Sequence, residues 1–232
     1  MKKLKLGFLL AIMAVVFSII KIMGANAQIS ESDDYSSLGI KITTNLLNAM
    51  KNKNYEAAWL FLTQLTKNEF GSIKSFEEWC GKIEILEDVE ADEVVFLSKQ
   101  RLLVTFYSFG KSQAVLLINQ GQDWKVAIIN LYIKKMEKDF QLLADVLNNY
   151  YKEKGQFPDE LAQLVSPIPY IQAIPFDPFS YGNEPYHYAA DMGGWKIYSV
   201  GPDGDDDAGI KKYDSSEDGY DGDIVKEGSP NS

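Results

Sequence analysis

The chain has 232 residues, 46% of them apolar and 24% charged, with a mean hydropathy of −0.18 and a formal net charge of −10. Those values exclude a wholly disordered chain, a collagen-like repeat and a polytopic membrane protein, and they argue against nucleic-acid binding, which relies on Lys and Arg to neutralise phosphates. The charge is unevenly placed: positions 203–223 hold nine acidic residues against Lys211 and Lys212, a net of −7, so this stretch must stay solvated or hold cations.

Residues 1–27 read as a secretory signal peptide. Lys2, Lys3 and Lys5 precede an apolar run over 6–20, and Ala25-Asn26-Ala27 supplies a small-x-small cleavage site before Gln28. The run is short for a spanning helix, which needs about 20 residues, so membrane contact is expected only if the segment is uncleaved. Cleavage removes four lysines and takes the formal charge from −10 to −14. The expected location is therefore the periplasm or the extracellular space, with membrane anchoring by this segment as the variant. Cys80 is the only cysteine, so no internal disulfide can form, and beside Trp79 it reads as a small buried residue.

Residues 28–37 read as a loose linker and 38–131 as a first α+β domain. Ile42, Leu46, Leu47 and Met50 are spaced for an amphipathic helix, Asn54 caps a second helix, and Ser75-Phe76-Glu77-Glu78 fits a capping box opening a third. The period then changes to that of an antiparallel meander over 94–98, 101–109, 112–119 and 123–131. Alternation puts Leu102, Val104 and Phe106 on one face and Leu103, Thr105 and Tyr107 on the other. With Asn52-Lys53-Asn54-Tyr55-Glu56-Ala57-Ala58-Trp59 and Gly121-Gln122-Asp123-Trp124-Lys125-Val126, this order resembles the small NTF2-like, cystatin-like cone domains. The resemblance implies a curved sheet folded around helices, with a mouth that can hold a ligand. Asp123 is the only carboxylate over 101–131 and no His accompanies it, which favours a packed core or apolar pocket over acid–base chemistry.

Residues 132–226 read as a second domain and 227–232 as a disordered tail. A long amphipathic helix is predicted over 133–154, with Met136, Phe140, Leu143, Leu147 and Tyr150 on one stripe and Gly155 as its stop. A short helix follows over 159–164, then strands over 186–189 and 196–200. His187, the only histidine, reads as a packing residue on a strand face.

The acidic loop carries the chemistry. Ca²⁺ takes six to eight oxygens in irregular geometry. Asp203, Asp205, Asp207 and Asp214 have the spacing of EF-hand ligands, yet Ala208 stands where Gly is needed, Asp214 replaces the bidentate Glu, and a strand precedes the loop. This is an Asp-rich Ca²⁺ loop rather than an EF-hand, and the absence of Cys or His among the acids disfavours transition metals.

Tyr151-x3-Gly155-Gln156-Phe157-Pro158, the turn Ile174-Pro175-Phe176-Asp177-Pro178-Phe179, Tyr186-His187-Tyr188, the run from Trp195 to Gly204, and Asp221-Gly222-Asp223-Ile224 occur in that order. The succession resembles the globular domain of the major, G-type pseudopilins of type II secretion. The resemblance implies a long helix packed on a small antiparallel sheet and a loop ordered by one Ca²⁺. It implies ligation by Asp203 and Asp223 with a backbone carbonyl near Val200; Asp205, Asp207, Asp214 and Asp221 complete the candidate set. Two departures stand against filament assembly. Gly7-Phe8 matches the family's processing site only in part, with Ile12 where a Glu is expected, and about a hundred residues separate this segment from the pilin-like helix. The reading is an exported, two-domain, non-enzymatic binding or scaffolding protein with protein partners in the cell envelope. The alternatives are an atypical pseudopilin in a secretion filament and an NTF2-like small-ligand carrier or enzyme.

Overall fold

The computed structural model describes residues 29–82, 91–98, 100–108, 111–121, 123–167, 169–214 and 220–230. Helix α1 spans Ile29–Lys51, so the stretch expected to be a loose linker is helical from residue 29. Helices α2 (Tyr55–Phe61), α3 (Gln64–Phe70) and α4 (Ile73–Cys80) follow in short turns. Asn54 caps α2 by accepting from the Ala57 N–H. The third expected helix starts earlier than the capping box suggested: Ser72 is the cap, accepting from the Ser75 N–H, and Ser75 lies inside α4. Thr63 caps α3 and splits what reads as one apolar helix into two.

Strands β1 (Ala91–Ser98), β2 (Arg101–Ser108), β3 (Lys111–Asn119) and β4 (Trp124–Ala127) pair antiparallel in sequence order. The expected cone does not form. The sheet is an open meander with β1 and β4 as separate edges, neither curved nor closed around a mouth. The reason lies in the alternation, which is apolar on both faces. Leu102, Val104, Val115, Leu117 and Val126 pack against Leu46, Met50, Ala58, Leu62 and Phe76 from the helices. Leu103, Leu116 and Ala127 on the opposite face pack against Ile129, Tyr132, Phe179 and Val200. Both faces are sealed by the hydrophobic effect, and the sheet is a middle layer.

Helix α5 (Ile129–Lys154) leaves β4 after one residue and ends at Gly155, which takes the left-handed conformation (φ 72°) that a Cβ would strain. The short segment expected over 159–164 is a 3₁₀ turn, Leu161–Leu164. A second antiparallel sheet contains β5 (His187–Ala190), β6 (Trp195–Ser199) and β7 (Ile224–Gly228), with β6 central. The inner stripe of α5, Met136, Phe140, Leu143 and Leu147, forms one core with Phe157, Leu164, Tyr186, Trp195 and Ile197. Positions 227 and 228, expected in a disordered tail, pair with Lys196 and Trp195.

Among the described residues no helix is long and apolar enough to cross a membrane, which stands against the membrane-anchored variant of the expected location. The signal segment 1–27 on which that variant rested lies outside the described residues.

Candidate metal centre

The acidic loop joins β6 to β7, and a buried clamp fixes its root. Asp177, between two prolines in the turn predicted to be rigid, accepts through Oδ1 from the Phe179 N–H (2.9 Å) and the Ser199 hydroxyl (2.7 Å), and through Oδ2 from the Val200 N–H (3.0 Å). Burial pushes its carboxyl up and these donors pull it down, with burial the stronger. Val200 is thereby pinned at the seam between the two sheets' cores. Gly201 (φ 68°) follows, so close to the Gly222 carbonyl that a Cβ would overlap it. The outgoing and returning limbs of the loop therefore meet backbone to backbone.

That approach brings carboxylates together. One oxygen from each of Asp203, Asp207 and Asp221 lies within 4.8 Å of the other two. Asp203 is oriented by accepting from the Gly222 N–H (2.9 Å) and the Asp205 N–H (3.3 Å), and Asp221 pairs with Lys211. Asp223 is fully buried beside this group; its Oδ2 accepts from the Gly209 N–H (2.7 Å), and its Oδ1 has no hydrogen-bond partner. Asp207 Oδ2 is likewise buried without one. A buried carboxylate oxygen left unpaired is costly, and three converging acids beside two such oxygens form a group able to coordinate a divalent cation.

The electrostatics agree with the geometry. Burial, and then the neighbouring Asp221, push the Asp203 carboxyl up to about 7 against the lowering effect of the Gly222 N–H. Asp223 is also raised, by burial first and by Asp206 and Asp207 after it. The donors are all oxygens, the chemistry of a hard divalent cation. His187 lies outside the group, stacked on Tyr198 at 4.7 Å between ring centres, with Nδ1 3.7 Å from Asp206 Oδ2. Cys80 sits in the core of the first sheet, and burial pushes its thiol up to about 12.

The seven residues singled out in the sequence thus separate. Asp203, Asp207 and Asp221 converge, with Asp223 buried alongside. Asp205 is exposed and accepts from the Asp206 N–H, while Asp214 faces away, lining an open groove between α5 and β7 with Ile133, Met136, Phe140 and Ile224. Val200 contributes through its N–H to Asp177. The EF-hand spacing therefore does not describe this loop, because the third converging acid comes from the returning limb rather than from position 214. Ala208, at the position where that motif needs Gly, has φ 57°.

Two residues escaped the sequence reading. Arg101, at the start of β2, is buried at the seam: it donates to the Phe179 carbonyl, its guanidinium lies over the Tyr181 ring at 4.3 Å, and a Cβ on Gly204 (φ 73°) would overlap it. Lys211, counted only as an offset to the loop's charge, is paired with one of the converging acids. No sequence signal marks Arg101, whereas the Asp-Pro turn at 177 was visible but its clamping role was not. The first lobe therefore supports the turn that carries Asp203, and the group as a whole can coordinate a divalent metal ion. Comparison of the chain with models of protein families, with characterised proteins and with solved structures gives no match.

Proposed function

We propose that this loop holds one Ca²⁺ and that the chain is an exported, calcium-stabilised binding or scaffolding protein without catalysis. The observation that carries the reading is the convergence of Asp203, Asp207 and Asp221 beside buried, unpartnered oxygens of Asp207 and Asp223. Asp203, Asp207 and Asp221 would hold the ion, and Asp223 would close the site from beneath. Calcium tolerates irregular oxygen cages, while magnesium demands near-ideal octahedral geometry and dehydrates reluctantly, so the larger ion suits a loop assembled from two separate limbs. The ion's role here is to tie those limbs together.

The packing of α5 on a three-stranded antiparallel sheet, followed by this loop, supports the pseudopilin-like reading of the C-terminal half. A filament role is not supported, since the first turns of α5 are buried at the seam: Ile129 and Tyr132 are each 3% exposed. A helix so covered is not available for continuous packing against its neighbours in a filament.

Thermal unfolding tests the metal reading. At about a hundred times its dissociation constant calcium adds about 2.7 kcal/mol of stability. Calcium should raise the Tm and EDTA lower it, with magnesium giving a smaller shift. The calcium shift should vanish in Asp203→Asn, Asp221→Asn; an equal shift in that variant sinks the reading. Export is tested by N-terminal sequencing of the mature protein, expected to begin at Gln28.

A further inference from the structure

The acids of the loop are not balanced only by what they bind. Lys211 leaves the loop between its two limbs and its ammonium pairs with Asp221, one of the three converging residues. Its electrostatic neighbours are Asp221, Asp207 and Asp203, the whole group. Its backbone is held in place independently of the side chain, because the Lys211 carbonyl accepts from the Asp223 N–H at 2.8 Å. The side chain is about half exposed, with a relative exposure of 55%, and can therefore swing into solvent without disturbing the core. Lys212, its neighbour, turns the other way, with Nζ 3.7 Å from Glu227.

We propose that Lys211 is a built-in counter-ion of the metal centre, an ammonium that occupies the carboxylate group when no metal is bound and is displaced when the metal enters. The inference rests on the metal reading above, and the fully buried, unpartnered Asp223 Oδ1 beside Asp207 is the separate sign that the group is shaped for a cation. With Lys211 engaged, three carboxylates carry a net charge of −2 rather than −3, which lowers their mutual repulsion in the metal-free protein and weakens their attraction for a divalent ion. Asp221 Oδ2 is the ligand atom that must change partners. Lys211 thereby sets the calcium concentration at which the loop fills and keeps the empty loop folded below it.

The two consequences have opposite signs, which a merely structural lysine would not produce. The ammonium competes with a divalent ion for Asp221 and repels it as it enters, so removal of the ammonium should tighten calcium binding about tenfold. Isothermal titration of the purified protein with CaCl₂ and thermal unfolding in EDTA provide the two readouts. Lys211→Met should bind calcium about tenfold more tightly and unfold at a lower temperature in EDTA. Lys211→Arg, which keeps the charge, should stay within about twofold of the parent affinity. An unchanged or weaker affinity in Lys211→Met overturns the proposal while leaving the metal reading standing, as does a Lys211→Arg variant that behaves like Lys211→Met. Absence of calcium uptake by all three proteins overturns the metal reading, and the counter-ion with it.

Discussion

The β1–β4 sheet and the acidic loop are both tightly packed, but their packing is completed in different ways. In the sheet, apolar residues on both faces find apolar partners from the same chain: Phe76 is 0% exposed and in ring contact with Tyr55, Trp59, Phe70 and Trp79. In the loop, Asp207 and Asp223 each bury an oxygen without a hydrogen-bond partner. The first region is completed by apolar contacts alone, whereas on the proposed reading the second is completed by a cation. Breaking the first should therefore cost more and be blind to metal. Phe76→Ala should lose about 3–5 kcal/mol in urea unfolding, as large-to-small core changes do, by the same amount in calcium and in EDTA. A loss that calcium halves would mean that the two regions do not store stability separately.

The next effect should invert with conditions. Asp203 has a folded pKa raised to about 7 from 3.8, so between those values the folded state binds more protons than the unfolded one. Stability of the metal-free protein then falls as pH rises through this window, and the loss is complete above about pH 7. On the proposed reading calcium takes the ionised carboxylate, so the calcium-induced rise in Tm should grow over the same window. Asp203→Asn removes both dependences: near pH 8 it should raise the Tm in EDTA and lower it in calcium. Tm profiles in EDTA that stay flat from about pH 5 to pH 8 would remove Asp203 as the strained member of the group.

Much of this contrast was legible from residue order, and the remainder was not for identifiable reasons. Alternating Leu102, Leu103 and Val104 declare a strand with two apolar faces, but only the covering elements decide whether such a sheet curls around a pocket or becomes a middle layer. Phe179 and Val200, about 75 or more positions away in the chain, cover the second face. The Asp-rich stretch reads as a candidate cation loop, while its spacing points to Asp214 as a ligand. The chain instead brings Asp221 back beside Asp203 through the Gly201–Gly222 contact, a long-range meeting that linear spacing cannot report. Arg101 is the clearest instance: an arginine in a strand reads as an exposed charge, yet this one is 1% exposed because Phe179, Tyr181 and Gly204 from the other lobe close over it. The start of α1 was missed for the opposite reason, since a polar run lacks the apolar period that marks a buried helix.

The smallest effect sharpens the comparison because it concerns the same kind of bond. Asn54 Oδ1 accepts from the Ala57 N–H at 3.2 Å, as Asp203 Oδ2 accepts from the Gly222 N–H at 2.9 Å. The first oxygen is neutral, exposed and local, so it stabilises one turn of helix without enclosing a charge. Asn54→Ala should therefore cost about 1 kcal/mol, the usual value of a helix cap, under every condition of pH and metal. In Asp203 the same geometry carries a half-buried carboxylate beside two others, and on the proposed reading its contribution depends on the cation. A double variant, Asn54→Ala with Asp203→Asn, should be additive within about 0.5 kcal/mol in EDTA, as independent sites are. Coupling larger than that would show that α2 senses the loop, and the division between a self-sufficient lobe and a conditional one would have to be redrawn along Arg101.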